Sequence, residues 1–347
     1  MARVVVTGAA GRLGSRVAAG LAQIDDAPTV VGVDLRPTPD PTVEHHQVDL
    51  ATVDASSLAE VFEGADAVLH LASVFGQGLD GPEVQSGVEL AMARTVLAAA
   101  GQAGCPQMVV MSTATVYGPW ANNAVPLTED APMRPHPDLA LAVQKAEVER
   151  LVAEWAGDHP DAVAACLRPV AVVDDGDIGW LARSLHAAAG LPTADEPPAQ
   201  YLHLDDLASA VVHAWRAGLS GPVNVAPDGW LTPTERRALD PVPKVRLPEP
   251  VAVGGAAIRW RLGLAPTSPG IVAYARHPWV VANDRLTATG WTPEVTNEEA
   301  YVAGHPARAI ESISPQRRQE LALAVLGVVA TGAAVGIGFL VRRSRRR

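Results

Sequence analysis

Short apolar runs and stretches of helical spacing take turns along the first half of the chain. Arg3 to Thr7 predicts a strand and Arg12 to Gln23 a helix. Val30 to Asp34 predicts a second strand that ends in an acid, His45 to Asp49 a third, and Leu58 to Phe62 a short helix. Ala67 to Leu71 predicts another strand, Pro82 to Ala103 a long helix, and Gln107 to Ser112 the next strand. The strand runs are apolar throughout rather than alternating. That pattern belongs to a parallel sheet covered by helices on both faces.

Pro119 to Pro137, rich in Pro, Asn and acids, reads as a loop. A helix from Asp138 to Trp155 and a strand from Val163 to Leu167 follow. Beyond residue 174 the elements shorten and prolines gather, densest from Pro241 to Pro250. The expected organisation is α/β. Residues 1–173 form a doubly wound Rossmann domain carrying the active-site segments, and residues 174–304 a smaller substrate subdomain interleaved with its sheet. Residues 305–320 are a tether, residues 321–341 a C-terminal apolar helix and residues 342–347 a basic tail. The segments 119–137 and 174–200 are expected to line the substrate pocket.

Charge sharpens this division. The formal net charge is −11, yet five arginines lie in the last six residues, so the remainder stands at −16. A body that acidic repels phosphate backbones and excludes a nucleic-acid partner. Leu321 to Val341 carries no charge over 21 residues, and as a helix it would extend about 31 Å, enough for a bilayer core. It is expected to cross the membrane or lie in its interface. The chain opens on a strand, with no charged and apolar leader, so the body is expected to stay cytoplasmic. Gly332 and Gly336 form a small-residue pair that could bring two such helices together. Cys105 and Cys166 lie in apolar runs without metal-ligand spacing and are read as buried thiols. His45 and His46, beside Glu44 and Asp49, are read as a solvated strand edge, so no metal is expected.

The candidate chemistry begins at Thr7-Gly8-Ala9-Ala10-Gly11-Arg12-Leu13-Gly14, directly after a strand and opening a helix. The first glycine permits a tight turn, the second a close approach of backbone to a pyrophosphate, and the third close packing of helix on sheet. The amides of Arg12, Leu13 and Gly14 then face the phosphates at the positive end of the helix. Asp34 ends the second strand 20 residues beyond Gly14, where a carboxylate can accept from both adenosine-ribose hydroxyls and repel a 2′-phosphate. NAD is therefore favoured over NADP, although Arg12 and Arg36 stand near enough to receive that phosphate.

Several further stretches fall in the order of one family. These are Asp49-Leu50; His70-Leu71-Ala72-Ser73; Ser112-Thr113-Ala114-Thr115-Val116-Tyr117-Gly118; Leu167-Arg168-Pro169; Tyr201-Leu202-His203-Leu204-Asp205-Asp206; Gly221-Pro222-Val223-Asn224-Val225; and Gly290-Trp291-Thr292-Pro293. With the glycine-rich turn they make residues 2 to 300 resemble the extended short-chain dehydrogenase/reductases of the NAD-dependent epimerase/dehydratase family, relatives of UDP-galactose 4-epimerase and the 3β-hydroxysteroid dehydrogenases. The resemblance implies that NAD is held by Gly8, Ala10, Gly11, Arg12, Leu13, Gly14, Asp34, Leu35, Asp49, Leu50, Leu71, Ala72, Ser73, Lys145 and Pro169. It also implies a homodimer formed through the long helices, including the one that bears Lys145.

The same resemblance places Thr113 at the hydroxyl that binds the reacting oxygen. Lys145 falls at the lysine that lowers a tyrosine pKa and binds the nicotinamide ribose. The tyrosine belongs four residues before that lysine, and Leu141 stands there. Leucine transfers no proton. Tyr117, His136, Glu129, Asp130, Tyr201 and His203 are the candidate substitutes, while Asp205 and Asp206 are read as caps of a helix starting near Leu207. Two functions follow. One is an NAD-dependent oxidoreductase or epimerase acting at a carbinol carbon of a nucleotide-sugar, sterol-like or lipid-linked substrate. The other is a scaffold or redox sensor that holds the dinucleotide without turnover.

Overall fold

The computed structural model describes residues 1–74, 82–189, 196–239, 249–263 and 269–305. The elements run β1 (Arg3–Thr7), α1 (Arg12–Ala22), β2 (Thr29–Asp34), β3 (Glu44–Gln47), α2 (Ala55–Val61), β4 (Ala67–His70), α3 (Pro82–Gln102) and β5 (Gln107–Met111). A 3₁₀ turn (Ala114–Tyr117) leads towards α4 (Ala140–Asp158), β6 (Val163–Pro169), β7 (Ala171–Val173), α5 (Trp180–Ala189), β8 (Tyr201–His203), α6 (Leu204–Arg216) and β9 (Gly221–Val225). Five short helices complete the described chain: α7 (Pro233–Leu239), α8 (Glu249–Arg261), α9 (Ile271–Tyr274), α10 (Asp284–Thr287) and α11 (Asn297–Gly304).

Seven strands form one parallel sheet in the order β3-β2-β1-β4-β5-β6-β9. The order reverses between β1 and β4, and a crevice at such a point, outside the carboxyl ends of the strands, is where ligands bind in open α/β sheets. Successive residues of each strand face opposite sides. Val4, Val6 and Leu69 join a core beneath α1 and α6, whereas Val5, Val68 and Val110 join a second core beneath α2, α3 and α4. Both faces of the inner strands are therefore dry, which explains why β1, β2, β4 and β5 read as apolar runs, whereas the edge strand β3 is polar and only partly buried. Cys105 and Cys166 are buried and unpaired as disulfides, and burial raises both thiol pKa values.

The later part of the chain enters this sheet as well as standing beside it. β9 pairs with β6, while β7 and β8 form a separate parallel pair. Asp206 accepts the amides of Glu294 (2.9 Å) and Val295 (3.0 Å), fastening the C-terminal segment to α6. This corrects the expected cap. The helix starts at Leu204, its cap is His203, whose Nδ1 accepts the Asp205 amide, and Asp205 itself pairs with Arg16. Both acids still sit in the first turn, where the helix dipole favours them.

Among the described residues no helix is long and apolar enough to cross a membrane. The predicted span 321–341 and the basic tail lie outside the described residues, as does the tether beyond His305.

Candidate functional site

The loop after β1 is built around positions that admit no side chain. Gly8 adopts φ +74°, and a Cβ there would come within 2.8 Å of the Ala72 backbone. A Cβ on Gly14 would lie 2.1 Å from the Gly8 carbonyl oxygen. The loop therefore packs tightly against the segment after β4 and against its own helix. Gly11 caps α1 in an extended conformation and offers no side-chain acceptor. The first-turn amides thus have no cap from within that residue, which suits an anionic group.

Asp34 locks this loop from β2. Its Oδ2 accepts the Ala10 amide (3.1 Å) and its Oδ1 the Arg36 amide (3.0 Å). Two bonds leave further lone pairs on a carboxylate, and the side chain keeps 12% of its surface exposed. Uncapped amides, glycines that exclude any Cβ and an acid at the end of the second strand together fit a dinucleotide. Thr7 joins the same crevice: its Oγ1 accepts the Ala72 amide (3.3 Å) and lies 2.8 Å from His70 Nδ1. Burial, followed by the charge of Lys145, lowers the His70 pKa to about 4, so this ring is neutral.

Other expected ligands carry different burdens. The Arg12 guanidinium pairs with Asp174 and Asp177, beyond β7, and Arg16 joins the same cluster through Asp174. Arg12 thus turns its side chain to carboxylates while its backbone stays at the turn. Asp49 accepts the Ala51 amide (2.9 Å) in a local turn, and Leu50 is buried in the second core. Leu35 is 58% exposed, Leu13 packs partly into the first core, and Leu71 and Pro169 are buried.

Thr113 follows the carboxyl end of β5, and Lys145 reaches the last residue of that strand, Met111. Thr113 caps the 3₁₀ turn, its Oγ1 accepting the Thr115 amide (3.3 Å) and the Thr115 hydroxyl (3.2 Å). Both contacts use lone pairs, so the Thr113 proton is left for a third partner. Lys145 is 6% exposed and donates to the Met111 carbonyl (2.9 Å) and to Glu89, itself 2% exposed. The other oxygen of Glu89 accepts from Ser73 Oγ (3.3 Å) and from the Val74 amide (3.2 Å). Leu141 is buried one turn away from the lysine.

Neither this ion pair nor Glu89 is singled out by the sequence reading. Its available signal was an acid between Val88 and Leu90, in a helix whose other acid is Glu83. Buried this deeply, a carboxylate needs a cation.

The candidate substitutes for the tyrosine, apart from Asp130, are engaged elsewhere. Tyr117 donates to Asn224 (2.8 Å) and accepts from Arg168 (2.7 Å), and burial raises its pKa to about 12. Glu129 accepts the Asn224 amide, His136 stacks near Trp120, His203 caps α6, and Tyr201 meets Tyr301 edge-on. Asp130 lies exposed in its loop. Among the described residues none of these is a hydrogen-bond partner of Lys145, whose polar partners there are Glu89 and Met111. A neighbouring cavity is lined by His186, Tyr201, Tyr274, Trp279 and Tyr301. Pro197, Pro198, Ala199 and Gln200 of the 174–200 segment line it as well.

Comparison with known proteins agrees with this geometry. Residues 4–226 match the model of the NAD dependent epimerase/dehydratase family. UDP-glucose 4-epimerase 2 of Arabidopsis thaliana is 33% identical over 119 residues, which span 32% of this chain and 33% of that enzyme. An uncharacterized protein of Mycobacterium tuberculosis is 26% identical over 314 residues, 86% of this chain and 82% of that protein. Among solved structures, a UDP-galactose 4-epimerase superposes with a TM-score of 0.62 at 24% identity, covering 86% of this chain and 95% of the other. The Thermus thermophilus UDP-glucose 4-epimerase in complex with NAD gives 0.64 at 22% identity, covering 87% and 97%. These likenesses show the fold, and the family match reaches across the glycine-rich turn, the Thr113 strand end and β9. The chain belongs to the NAD dependent epimerase/dehydratase family.

Proposed function

We propose that this chain is an NAD-dependent oxidoreductase of the epimerase/dehydratase type, acting at a carbinol carbon of a nucleotide-sugar. Sterol-like and lipid-linked alcohols are the other substrate classes, favoured if residues 321–341 hold the body at a membrane. The observation that carries the reading is the convergence of the Gly8–Gly14 turn, Asp34 and Thr113 on the carboxyl edge of β1, β2 and β5, beside the point where strand order reverses. The relatives' names point to UDP-sugars.

Bound NAD would supply the acceptor for a carbinol hydrogen and its electron pair. The first-turn amides of α1 would hold its pyrophosphate, and Asp34 would accept from its adenosine ribose. Thr113 donates its remaining proton to the substrate oxygen. Lys145, paired with Glu89 and held by the Met111 carbonyl, stands at the end of the same strand, β5.

A second reading, an NAD-holding scaffold or redox sensor, draws support from Leu141, which leaves Lys145 without a phenol to activate. Mass spectrometry of the copurified nucleotide tests the cofactor. Incubation of the full chain with NAD and a panel of UDP-sugars, sterols and lipid-linked alcohols tests turnover by the absorbance of the reduced dinucleotide and by chromatographic detection of an epimerised or oxidised product. Turnover by the parent chain removes the scaffold reading. Turnover seen only after Leu141→Tyr removes the enzyme reading.

A further inference from the structure

We propose that Ser73 and Glu89 replace the missing phenol as a two-step proton relay, with Ser73 meeting the substrate hydroxyl and Glu89 keeping the proton. The proposal rests on the oxidoreductase reading above and supplies the step that reading lacks.

The register of the sheet brings the parts together. β4 and β5 are adjacent and parallel, with His70 opposite Val110. Ser73 lies three residues beyond His70 and Thr113 three beyond Val110, so both hydroxyl residues follow the same pair of strands at the carboxyl edge. Ser73 is exposed, whereas Glu89 is almost wholly buried. The serine hydroxyl donates to Glu89 Oε2 at 3.3 Å and so connects an exposed surface to a closed carboxylate. A hydroxyl that donates one proton can accept another at the same time.

Glu89 is held ready for this. The Val74 amide donates to the same oxygen as Ser73, and the ammonium of Lys145 faces the other oxygen. Lys145 is itself steadied by the Met111 carbonyl. The nearby His70 ring is not an equivalent acceptor, because its Nδ1 is occupied by Thr7.

The step balances. The substrate O–H bond breaks and its proton passes to Ser73 Oγ while the serine's own proton passes to Glu89 Oε2, making a neutral carboxylic acid. The carbinol hydrogen leaves with its electron pair to the nicotinamide dinucleotide. The alcohol is oxidised to a carbonyl and the dinucleotide is reduced. One positive charge disappears from the nicotinamide as one negative charge disappears from Glu89, so Lys145 faces an unchanged total.

The test uses the full chain, NAD, and UDP-glucose or UDP-galactose under single-turnover conditions. Ser73→Ala leaves the Glu89–Lys145 pair in place, and it and Glu89→Gln should slow dinucleotide reduction by about 10²–10⁴-fold, the usual worth of general acid–base help. Calorimetry should find that both variants still bind NAD, with affinity lost by a much smaller factor than the rate, which places the defect in the proton step. Ser73→Thr, which keeps the hydroxyl, should restore most of the rate. Infrared difference spectra should show a protonated-carboxyl band growing in with reduction in the parent chain and missing from Glu89→Gln. A Ser73→Ala variant that turns over at the parent rate overturns the relay and leaves the oxidoreductase reading standing. A parent chain that reduces no NAD with either sugar overturns the relay together with the UDP-sugar reading on which it rests.

Discussion

Asp34, the last residue of β2, accepts the backbone amide of Ala10, in the middle of the glycine-rich turn, at 3.1 Å. One acid therefore shapes the loop and stands beside the crevice that the loop lines. Removing it should cost cofactor affinity twice over. Asp34→Ala is expected to weaken NAD binding by about 1.5–3 kcal/mol, the range for a hydrogen bond to a charged group. Calorimetry on the parent and the variant checks this, and equal heats would refute the assignment.

The two glycines at the ends of the turn are exposed to a steric test. A methyl group on Gly14 would press into the Gly8 carbonyl, which is backbone and cannot swing away. Gly14→Ala should lower stability by about 1–3 kcal/mol, as overpacking does, and abolish measurable NAD binding. Gly64, where an added Cβ meets nothing, provides a control: its strain comes from φ alone. Urea melts and binding heats on the two variants separate the effects.

Lys145→Met strands the Glu89 carboxylate in a closed site. Breaking one side of a buried ion pair costs about 3–5 kcal/mol, whereas removing both charges together is often neutral. The single variant should therefore unfold at much lower urea, and Glu89→Gln combined with Lys145→Met should recover most of the loss. Additive destabilisation in the double variant would show that the two side chains do not depend on each other.

His70 gives the fold a pH dependence with a definite sign. Its pKa lies at about 4 in the folded chain, against about 6.5 for an unperturbed histidine. Below about 6.5 the unfolded chain takes up a proton that the folded chain refuses until about 4, so stability falls as pH falls through that window, by about 3 kcal/mol in full. Above it the contribution is complete and constant. Urea melts between about pH 7 and pH 5 should show His70→Gln less sensitive to acid than the parent; parallel curves would refute the assignment.

Local pattern determined much of this molecule. Unbroken valine-rich runs alternating with helical spacing declare a two-faced parallel sheet, because a strand buried on both sides has no polar positions. The turn from Gly8 to Gly14 and the acid at residue 34 were legible for the same reason: their chemistry depends on backbone conformation and short spacing. Leu141 was equally plain, since one residue type decides whether a phenol is present. What the partners of Lys145 would be was settled only when α3 packed against α4, 56 residues apart in sequence at the contact. Neither helix alone says that Glu89 will lie inside. Arg12 met Asp174, and Asp206 met the amides of Glu294 and Val295, by the same route. Charges and hydrogen-bond acceptors are satisfied by whatever the folded chain brings near. Spacing along the sequence determines the elements, and packing in three dimensions decides which polar groups are left to do chemistry.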